Sequence, residues 1–499
     1  MIFMYYIKNR LLIFNYKIAI LECEIMDLWK RVNRFSLVII VLISLMSFTQ
    51  ENSLVFASPY STCSSSAREI YGLTEKCQDG TILHAWNWYF IDVTKNMKDI
   101  VEAGYTSIQV SPVQGEKKEQ GLPKSTKWWA LYQPVNFKIG NILGTRNEFI
   151  EMCETAHEYG VKIIVDVVTN HLANKADNDI YTISPQIDKE LRENSNFWHN
   201  IDEVADNSCR FNMTQKSIGM PDLNTGNKQL QKIILDFLND CQECGADGFR
   251  FDAAKHIELP DDPPECSSDY WPTIVSGIKN KDKDSYIYGE LLGPLATREE
   301  SYTKFMSITA DVYGSCVRKA INERNAGWAW SYQTNINAKQ LVTWVESHDT
   351  YACNGEQEIS ASLTDQEIKL GWCLIAGRAD SAPLYFVRPK DGLRGEIGGP
   401  GDGVWKDALV VEANKFHNEM AGKSEYIRIP DFTVFMVERG NNAAILTNVG
   451  YGEKTILTET GLEDGEYWDV NHKGSKFIVE EGHLKGTIGS ETSAILRRC

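Results

Sequence analysis

Short apolar segments alternate with amphipathic segments between residues 81 and 386 of this chain. The apolar segments have the length of buried strands, and the amphipathic segments repeat apolar residues at helical spacing. This alternation predicts a parallel α/β fold. Over about 300 residues a closed eight-stranded (β/α)8 TIM barrel fits better than a nucleotide-binding sheet, because no GxGxxG motif is present. The predicted strands are 81–86, 107–110, 161–168, 248–251, 286–289, 308–312, 342–346 and 382–386, and the predicted helices include 94–103, 146–159 and 228–243.

Two regions interrupt this pattern. Residues 172–219 are polar and rich in Asn and Asp, and they are too long for an ordinary loop, so they predict an inserted subdomain after the third strand. After about residue 407, alternating strands with turns such as Gly440-Asn441 and Asp464-Gly465 predict a C-terminal antiparallel β-sandwich. The expected domains are therefore a catalytic barrel at 58–171 and 220–406, the insert at 172–219, and the β-sandwich at 407–499.

The first 57 residues have the pattern of a targeting segment. Lys30, Arg31 and Arg34 precede an apolar run at 35–48, and Ala57 lies at a small-residue cleavage pattern. A secreted, extracellular protein is expected. The run is shorter than the roughly 20 residues of a membrane span, yet an uncleaved anchor stays open as an alternative and would be the only membrane contact. Met26 is the alternative start.

Composition restricts the partners. A net charge of −17 disfavours nucleic acid and anionic membrane, and 13 Trp with 21 Tyr supply the flat faces that sugar-binding proteins use. Among 12 cysteines, Cys63 and Cys77 are the favoured disulfide pair. Cys241 and Cys244 have CxxC spacing, but without a second CxxC two structural thiols are favoured over zinc.

Charged side chains follow four of the predicted strands. Because barrel enzymes keep reactive groups at the carboxyl ends of strands, Asp252, Glu290 and Asp349 are expected to converge in one pocket. Three acids together are costly unless a reaction needs them. Glycoside hydrolysis does, because carboxylates stabilise its oxocarbenium-like transition state. Arg250, on the same strand face as Asp252, is expected to keep that carboxylate ionised.

These segments resemble a known family. DVVTNH, GFRFDAAKH, YGE and WVESHD are similar, in order, to the four conserved regions of the α-amylase superfamily, glycoside hydrolase family 13, and WWALYQP and MPDLN add two further matches. The amino-acid sequence of these segments is most similar to that of secreted α-amylases of the Bacillus subtilis type. The resemblance implies a retaining, endo-acting α-amylase that hydrolyses internal α-1,4 bonds of starch and related glucans. A transglycosylase of the same superfamily and a non-catalytic membrane-anchored relative are the alternatives.

The resemblance also implies roles for individual residues. Asp252 would be the nucleophile, Glu290 the acid/base, and Asp349 the carboxylate that binds two sugar hydroxyls, with Asp166 structural. The implied substrate-binding residues are Trp129, Tyr132, Gln133, His171, Arg250, Lys255 and His348. Histidines outside these motifs, at 84, 157, 199, 417, 472 and 483, are expected to be structural.

Family members carry a structural calcium ion, and the resemblance implies Asn170, Asp222 and the backbone carbonyl of His256 as its ligands, with a carbonyl near Thr214. Oxygen ligands suit such a hard cation. Chloride activation is doubtful, because Ser347 stands where chloride-activated relatives have Asn. A monomer that binds starch and α-1,4-glucan oligosaccharides is expected.

Overall fold

The computed structural model describes residues 64–118, 128–199, 205–293, 298–352, 360–390, 398–471 and 476–498. All of them belong to one compact unit that spans residues 60–499. The predicted targeting segment, Cys63 and His472 lie outside the described residues. Within the described ranges, no helix is both long and apolar enough to cross a membrane.

Eight parallel strands close into a barrel, as the alternating pattern predicts. In chain order the barrel strands are β1 (Ile82–Ala85), β2 (Ser107–Val110), β5 (Lys162–Val167), β8 (Gly248–Phe251), β9 (Tyr286–Gly289), β10 (Ser307–Thr309), β11 (Leu341–Trp344) and β12 (Ala382–Phe386). Strand β1 pairs with both β2 and β12, which closes the barrel among the described strands. Strand β10 is shorter than predicted, because a helix already begins at Asp311.

Side chains alternate between the barrel interior and the surrounding helices, as the two-residue period of a strand requires. Phe249 and Phe251 belong to the large core between strands and helices, where Phe251 packs edge-on against Trp271 at 5.2 Å. Arg250 lies between them in sequence and points into the barrel, where it contacts Asp166. The inward apolar side chains, such as Ile164 and Tyr288, form a separate cluster.

The helices are, in chain order, α1 (Ser65–Tyr71), α2 (Phe90–Glu102), α3 (Arg146–Glu158), α4 (Lys189–Glu193), α5 (Arg210–Thr214), α6 (Lys228–Glu243), α7 (Tyr270–Lys281), α8 (Glu299–Tyr302), α9 (Asp311–Asn322), α10 (His348–Ala352), α11 (Asp365–Ala376) and α12 (Ala408–Glu419). Local sequence explains their starts. Thr145 and Glu148 form a capping box on α3, and the Asn227 side chain caps α6.

The chain leaves the barrel after β2 and again after β5. Strands β3 (Gln114–Glu116) and β4 (Pro134–Ile139) form one hairpin, and β6 (Asn174–Ala176) and β7 (Asp179–Ile183) form another. The second hairpin, α4 and α5 make up the described part of the predicted insert. Bridges from His171 to Asp222 and from Trp198 to Leu223 return this segment to the barrel.

The C-terminal strands form one antiparallel sheet of eight strands among the described residues. They are β13 (Glu425–Asp431), β14 (Val434–Arg439), β15 (Ala443–Asn448), β16 (Lys454–Glu459), β17 (Gly465–Asp469), β18 (Lys476–Glu480), β19 (His483–Ile488) and β20 (Thr492–Arg498). Their order in the sheet is β13-β14-β15-β20-β17-β18-β19-β16. The end strands β13 and β16 contact each other, so the sheet curls around its own apolar core. A C-terminal antiparallel β domain is thereby confirmed.

The predicted start of this domain at residue 407 is too early for the sheet. Residues 408–419 are helix α12, whose buried Leu409, Val410, Ala413 and Phe416 recur at helical spacing. Helix α12 packs against α11, where the Trp372 indole donates to Asn414 Oδ1 at 2.9 Å. It is therefore a barrel helix, and the sheet begins at Glu425.

The cysteines that the structure describes are free thiols. Cys77 is buried, and its predicted partner Cys63 lies outside the described residues. Cys241, on α6, and Cys244, the residue that follows the helix, are both buried.

Candidate active site

Three carboxylates lie at the carboxyl ends of barrel strands. Asp252 follows β8, Glu290 follows β9, and Asp349 lies in the first turn after β11. All three line one cavity of about 470 Å³. The other residues of its wall are Trp128, Trp129, Tyr132, Gln133, His171, Ile218, Met220, Ala253, Lys255, His256, Leu292 and His348. The cavity thus contains the predicted catalytic residues and all predicted substrate-binding residues except Arg250, which lies beneath its floor.

Arg250 joins the carboxylates of three strands. Its Nη1 donates to Asp252 Oδ1 at 2.7 Å and to the two oxygens of Asp166 at 2.7 and 2.9 Å. Its Nη2 forms an ion pair with Glu290. Since the Arg250 side chain is only 4% exposed, these charges interact in a medium that screens them weakly.

Burial opposes ionisation of this cluster. It raises the pKa of Asp166 to about 6, with Arg250 acting in the opposite direction. Burial likewise raises the pKa of Asp252 well above the ordinary range, although the Arg250 contact lowers it. Arg250 was expected to keep Asp252 ionised, and burial acts against that expectation. Three carboxyl groups around one guanidinium favour a cluster that retains a proton.

The segments that carry Asp252 and Glu290 are also joined through the backbone. The backbone N–H of Ala253 donates to Glu290 Oε2 at 3.0 Å, and the N–H of Glu290 donates to the carbonyl of Phe251 at 2.9 Å. Ala253 has a φ of 48°, a left-handed conformation that is costly for alanine. The surrounding structure therefore imposes the turn that aims its N–H at Glu290.

Aromatic rings form one side of the cavity. Tyr132 stacks on His348 with ring centroids 5.0 Å apart and 12° between the planes, and Trp128 contacts both rings edge-on. The Tyr132 hydroxyl donates to Asp166 Oδ2 at 2.9 Å. Tyr132 is thus fixed at both its face and its hydroxyl, which suits a rigid surface for a sugar ring.

Two histidines in the cavity wall are neutral at ordinary pH. Burial lowers the pKa of His171 to about 4 and the pKa of His348 to about 3. His171 Nε2 donates to the carbonyl of Tyr132 at 3.0 Å, and its buried Nδ1 has no partner among the described residues. His348 Nε2 lies 3.5 Å from Asp349 Oδ1, and ligand atoms of Glu290, His348 and Asp349 all lie within 4.8 Å of one another.

The remaining predicted contacts occupy the rim and the wall. Lys255 Nζ donates to the carbonyl of Leu292 at 2.8 Å, and burial lowers its pKa. Gln133 is 6% exposed, and its Oε1 accepts no hydrogen bond from the described residues. Trp129 is half-buried and meets Trp128 edge-on at 6.2 Å. Gln133 and His171 therefore present unpaired acceptors beside the cavity, which hydroxyl groups of a ligand can satisfy.

The predicted metal ligands lie where the insert returns to the barrel. Asn170 Nδ2 donates to Asp222 Oδ1 at 3.1 Å, and Asp222 is 1% exposed. Burial raises the pKa of Asp222 well above the ordinary range, and among the described residues its ion-pair partner is His199, not a lysine or arginine. A buried carboxylate beside an amide oxygen fits a hard cation, which would replace the proton that burial otherwise favours.

His256 lies on the turn after Asp252 and faces helix α5 of the insert. Its Nδ1 donates to the carbonyl of Met213 at 2.8 Å, next to Thr214. Burial lowers the pKa of His256 to about 3, so the ring is neutral. The structure therefore brings the His256 turn against the insert segment named in the sequence analysis.

Several residues of this region were not predicted to belong to a site, and His84 and His199 among them were expected to be structural. His199 lies between two buried carboxylates, with Nδ1 2.8 Å from Asp222 and Nε2 3.2 Å from Glu258. His84 lies 5.8 Å from His348, and its Nε2 is buried without a partner in the described residues. Arg210 donates to the carbonyl of Lys255 at 3.0 Å. Of these residues, only His84 could have been placed from the local sequence, because it alternates with apolar residues on β1.

Comparisons with known proteins agree with this geometry. The sequence matches the family described as "Alpha amylase, catalytic domain" over residues 90–364. The chain belongs to the α-amylase family. It is 38% identical to an α-amylase of Clostridium acetobutylicum over 441 residues, which is 87% of this chain and 56% of that protein. It is 34% identical to an α-amylase of Butyrivibrio fibrisolvens over 472 residues, 85% of this chain and 47% of that protein. This α-amylase family chain thus spans about half the length of these curated relatives.

Solved structures show the same fold. Wild-type α-amylase I from Eisenia fetida superposes with a TM-score of 0.68 at 19% identity, covering 84% of this chain and 97% of that one. An α-amylase from Geobacillus thermoleovorans in complex with acarbose superposes with a TM-score of 0.68 at 15% identity, covering 85% of this chain and 99% of that one. At these identities the likeness establishes the fold of the α-amylase family.

Proposed function

We propose that this protein is a retaining, endo-acting α-amylase that hydrolyses internal α-1,4-glucosidic bonds of starch and related glucans. The observation that carries the proposal is the contact of Arg250 with Asp166, Asp252 and Glu290 beneath a cavity lined with aromatic rings. A cavity of about 470 Å³ is within the size range of ligand sites, and its flat aromatic faces with a few polar groups suit sugar rings.

Asp252 is the proposed nucleophile. Its carboxylate attacks the anomeric carbon while Glu290 donates a proton to the leaving glycosidic oxygen, and a covalent glycosyl-enzyme ester forms. Water then attacks the anomeric carbon on the face that the leaving group vacated, Glu290 accepts a proton from that water, and the bond to Asp252 breaks to release its carboxylate.

Arg250 assists both half-reactions because it fixes the positions of Asp252 and Glu290 and offsets their negative charge. One Arg250 nitrogen orients Asp252 Oδ1, and the other contacts Glu290. The Ala253 N–H holds the second Glu290 oxygen at 3.0 Å. Asp349, in the same wall, is placed to accept hydrogen bonds from sugar hydroxyls as positive charge develops at the anomeric carbon.

A calcium ion is proposed at the insert, held by Asn170, Asp222 and the backbone carbonyl of His256. It would supply a fixed positive charge that stabilises the contact between insert and barrel. Secretion to the extracellular space and a monomeric state are also proposed, on the targeting pattern of residues 1–57 and the acidic net charge of −17.

The experiment that tests this function compares wild type with Glu290→Gln on an end-blocked maltooligosaccharide. We expect a loss of activity of at least 1,000-fold with an unchanged melting temperature, because the acid/base is removed and the side chain keeps its size. Glu151→Gln, at an exposed position on α3, is the matched control and should keep full activity. Near-normal activity of the Glu290 variant would refute the assigned role.

The product time course from soluble starch and mass spectrometry complete the test. Internal cleavage gives a rapid fall in iodine staining with products of mixed length, whereas transfer gives products longer than the starting oligosaccharide. An activated fluoro-sugar should leave a glycosyl adduct on the peptide that contains Asp252. An adduct elsewhere, or inversion at the anomeric carbon, would exclude the retaining mechanism.

A further inference from the structure

A second cavity lies at the opposite end of the barrel from the carboxylates. Its volume is about 540 Å³, and Lys162, Tyr286 and Ser307, the first residues of β5, β9 and β10, line it. Since the catalytic groups follow the last residues of the strands, the length of a barrel strand separates the two cavities. Four residues at about 3.3 Å each make this at least roughly 13 Å. The second cavity is therefore a separate feature of the fold.

The walls of this cavity are basic in an acidic protein. Six lysines line it, against the two carboxylates of Glu75 and Asp284, while the whole chain has a net charge of −17. The six are Lys76, Lys162, Lys279, Lys283, Lys304 and Lys339. Like charges at one concave surface repel one another and raise the local positive potential.

Three of these lysines already have partners. Lys304 Nζ lies 3.0 Å from Asp261, and Lys339 Nζ lies 3.8 Å from Asp380. Lys279 Nζ donates to the backbone carbonyls of Lys283, at 3.0 Å, and Ser285. Burial also lowers the pKa of Lys279, so its ammonium is incompletely solvated. A bound anion would compensate that loss of solvation.

The other three lysines, Lys76, Lys162 and Lys283, form no ion pair with the residues that the structure describes. Lys162 is half-buried at the start of β5, and Lys76 and Lys283 are exposed at the rim. The wall adds neutral donors. The Tyr286 hydroxyl is buried beside the Ser307 side chain. Tyr286 and Ser307 are therefore neutral polar groups beside the lysines of the wall.

We propose that this cavity binds a small phosphate-bearing anion at the amino-terminal face of the barrel. Phosphate has three or four oxygens that accept charge-assisted hydrogen bonds, and lysine binds it as a point charge from several directions. The volume of 540 Å³ exceeds that of orthophosphate and also admits a phosphorylated sugar. The proposal stands independently of the reaction at the other cavity.

Ligand-observed ³¹P NMR on the full chain tests this proposal. The probes are orthophosphate and glucose 1-phosphate, each at constant ionic strength, with excess maltotriose present to occupy the catalytic cavity. We expect saturable line broadening with one site per chain for at least one probe. Binding of orthophosphate alone identifies the free anion as the ligand, and tighter binding of glucose 1-phosphate identifies a phosphorylated sugar.

Lysine variants locate the site. Lys162→Gln with Lys283→Gln should weaken binding at least tenfold, and Lys283→Gln alone, at an exposed position that does not bear on folding, should weaken it about threefold. Lys98→Gln with Lys232→Gln, on outer helices α2 and α6, is the matched control and should bind as wild type. No saturable broadening, or equal broadening with the Lys283 variants, would overturn the proposal. Hydrolysis of oligosaccharide by Lys283→Gln should be unchanged, which separates this site from the proposed function.

Discussion

The ring of Tyr132 lies parallel to the ring of His348, 5.0 Å away, while the Tyr132 hydroxyl donates to Asp166. One side chain thus connects the aromatic wall of the cavity with the buried charges below it. Because the ring and the hydroxyl have different partners, substitution can remove one contact and leave the other.

Tyr132→Phe removes only the hydrogen bond to Asp166. We expect kcat to fall about 10- to 100-fold with little change in KM, because a hydrogen bond to a buried carboxylate contributes about 1.5–3 kcal/mol. Tyr132→Ala also removes the stacked ring and should raise KM. Steady-state kinetics on a maltooligosaccharide measure both. Tyr426→Phe, at a position 58% exposed, is the control, and a Tyr132→Phe variant with unchanged kcat would contradict the role of this contact.

Arg210 anchors the insert to the turn behind the nucleophile. Its Nε and Nη2 donate to the two oxygens of Asp262 at 2.9 and 2.8 Å, and its Nη1 donates to the carbonyl of Lys255. Arg210→Met should lower the free energy of unfolding by about 3 kcal/mol, because buried Asp262 would lose its two-pronged partner and keep only Arg298 as a charged partner, and the carbonyl of Lys255 would lose a donor. Urea denaturation measures this value.

Arg210→Lys keeps the charge but cannot form the two-pronged contact. It should therefore lower the free energy of unfolding by less than Arg210→Met does, about 1–3 kcal/mol. Arg498→Met removes an exposed ion pair with Glu463 and should cost less than about 1 kcal/mol. If Arg210→Met were as stable as Arg498→Met, the buried pair would not contribute as argued.

His417 makes stability depend on pH. Its Nδ1 donates to the carbonyl of Ala376 at 2.9 Å, and burial, with Arg439 nearby, lowers its pKa to about 4. A lowered folded-state pKa means that the unfolded chain binds the proton more readily. This stability is therefore present above pH 6.5 and is lost as pH falls towards 4.

His417→Gln should thus reduce the loss of stability between pH 7 and pH 4 by roughly 3 kcal/mol, since one pKa unit corresponds to about 1.4 kcal/mol. Chemical denaturation at a series of pH values measures how steeply the free energy of unfolding depends on pH. His483→Gln, at an exposed histidine, should leave the slope as in wild type. Identical slopes for wild type and His417→Gln would show that another group titrates.

Calcium binding at Asp222 predicts a crossover in stability. With calcium present, wild type should melt above Asp222→Asn, because the ion offsets the charge of a carboxylate that is 1% exposed. With EDTA the order should reverse, because burial raises the pKa of Asp222 and an uncompensated carboxylate is costly there. Calorimetry in both conditions, with exposed Asp236→Asn as control, checks this. A wild-type melting temperature that EDTA does not change would exclude a structural calcium ion at this site.

The barrel and its carboxylates followed from the sequence because their signals are local. Strands such as 107–110 and 248–251 are short apolar segments between helices of regular period, and the acids follow directly after them. Parallel strands in a barrel end at one face, so Asp252 and Glu290 had to converge once the strands were identified.

Contacts between distant segments were not predictable in this way. His199, Glu258 and Arg210 carry no periodic signal, and only the return of the insert to the barrel brings His199 between Asp222 and Glu258. Helix α12 was missed for a different reason. The turn signals that follow it were extended backwards over a segment whose apolar residues have helical spacing.

The short strand β10 has few pairing partners, and we expect the barrel to open there first. Strand β10 pairs with β9 through two residue pairs and with β11 through two more, fewer than the four that join β8 to β9. Amide hydrogen exchange should therefore be fastest at this seam. Opening there would carry Asp349 away from Glu290, while the bonds between the β8 and β9 ends keep Glu290 beside Asp252. Thermal fluctuations of the barrel would then move Asp349 away from the hydroxyl groups of a bound sugar before they separate Asp252 from Glu290, the two groups proposed to make and break its bonds.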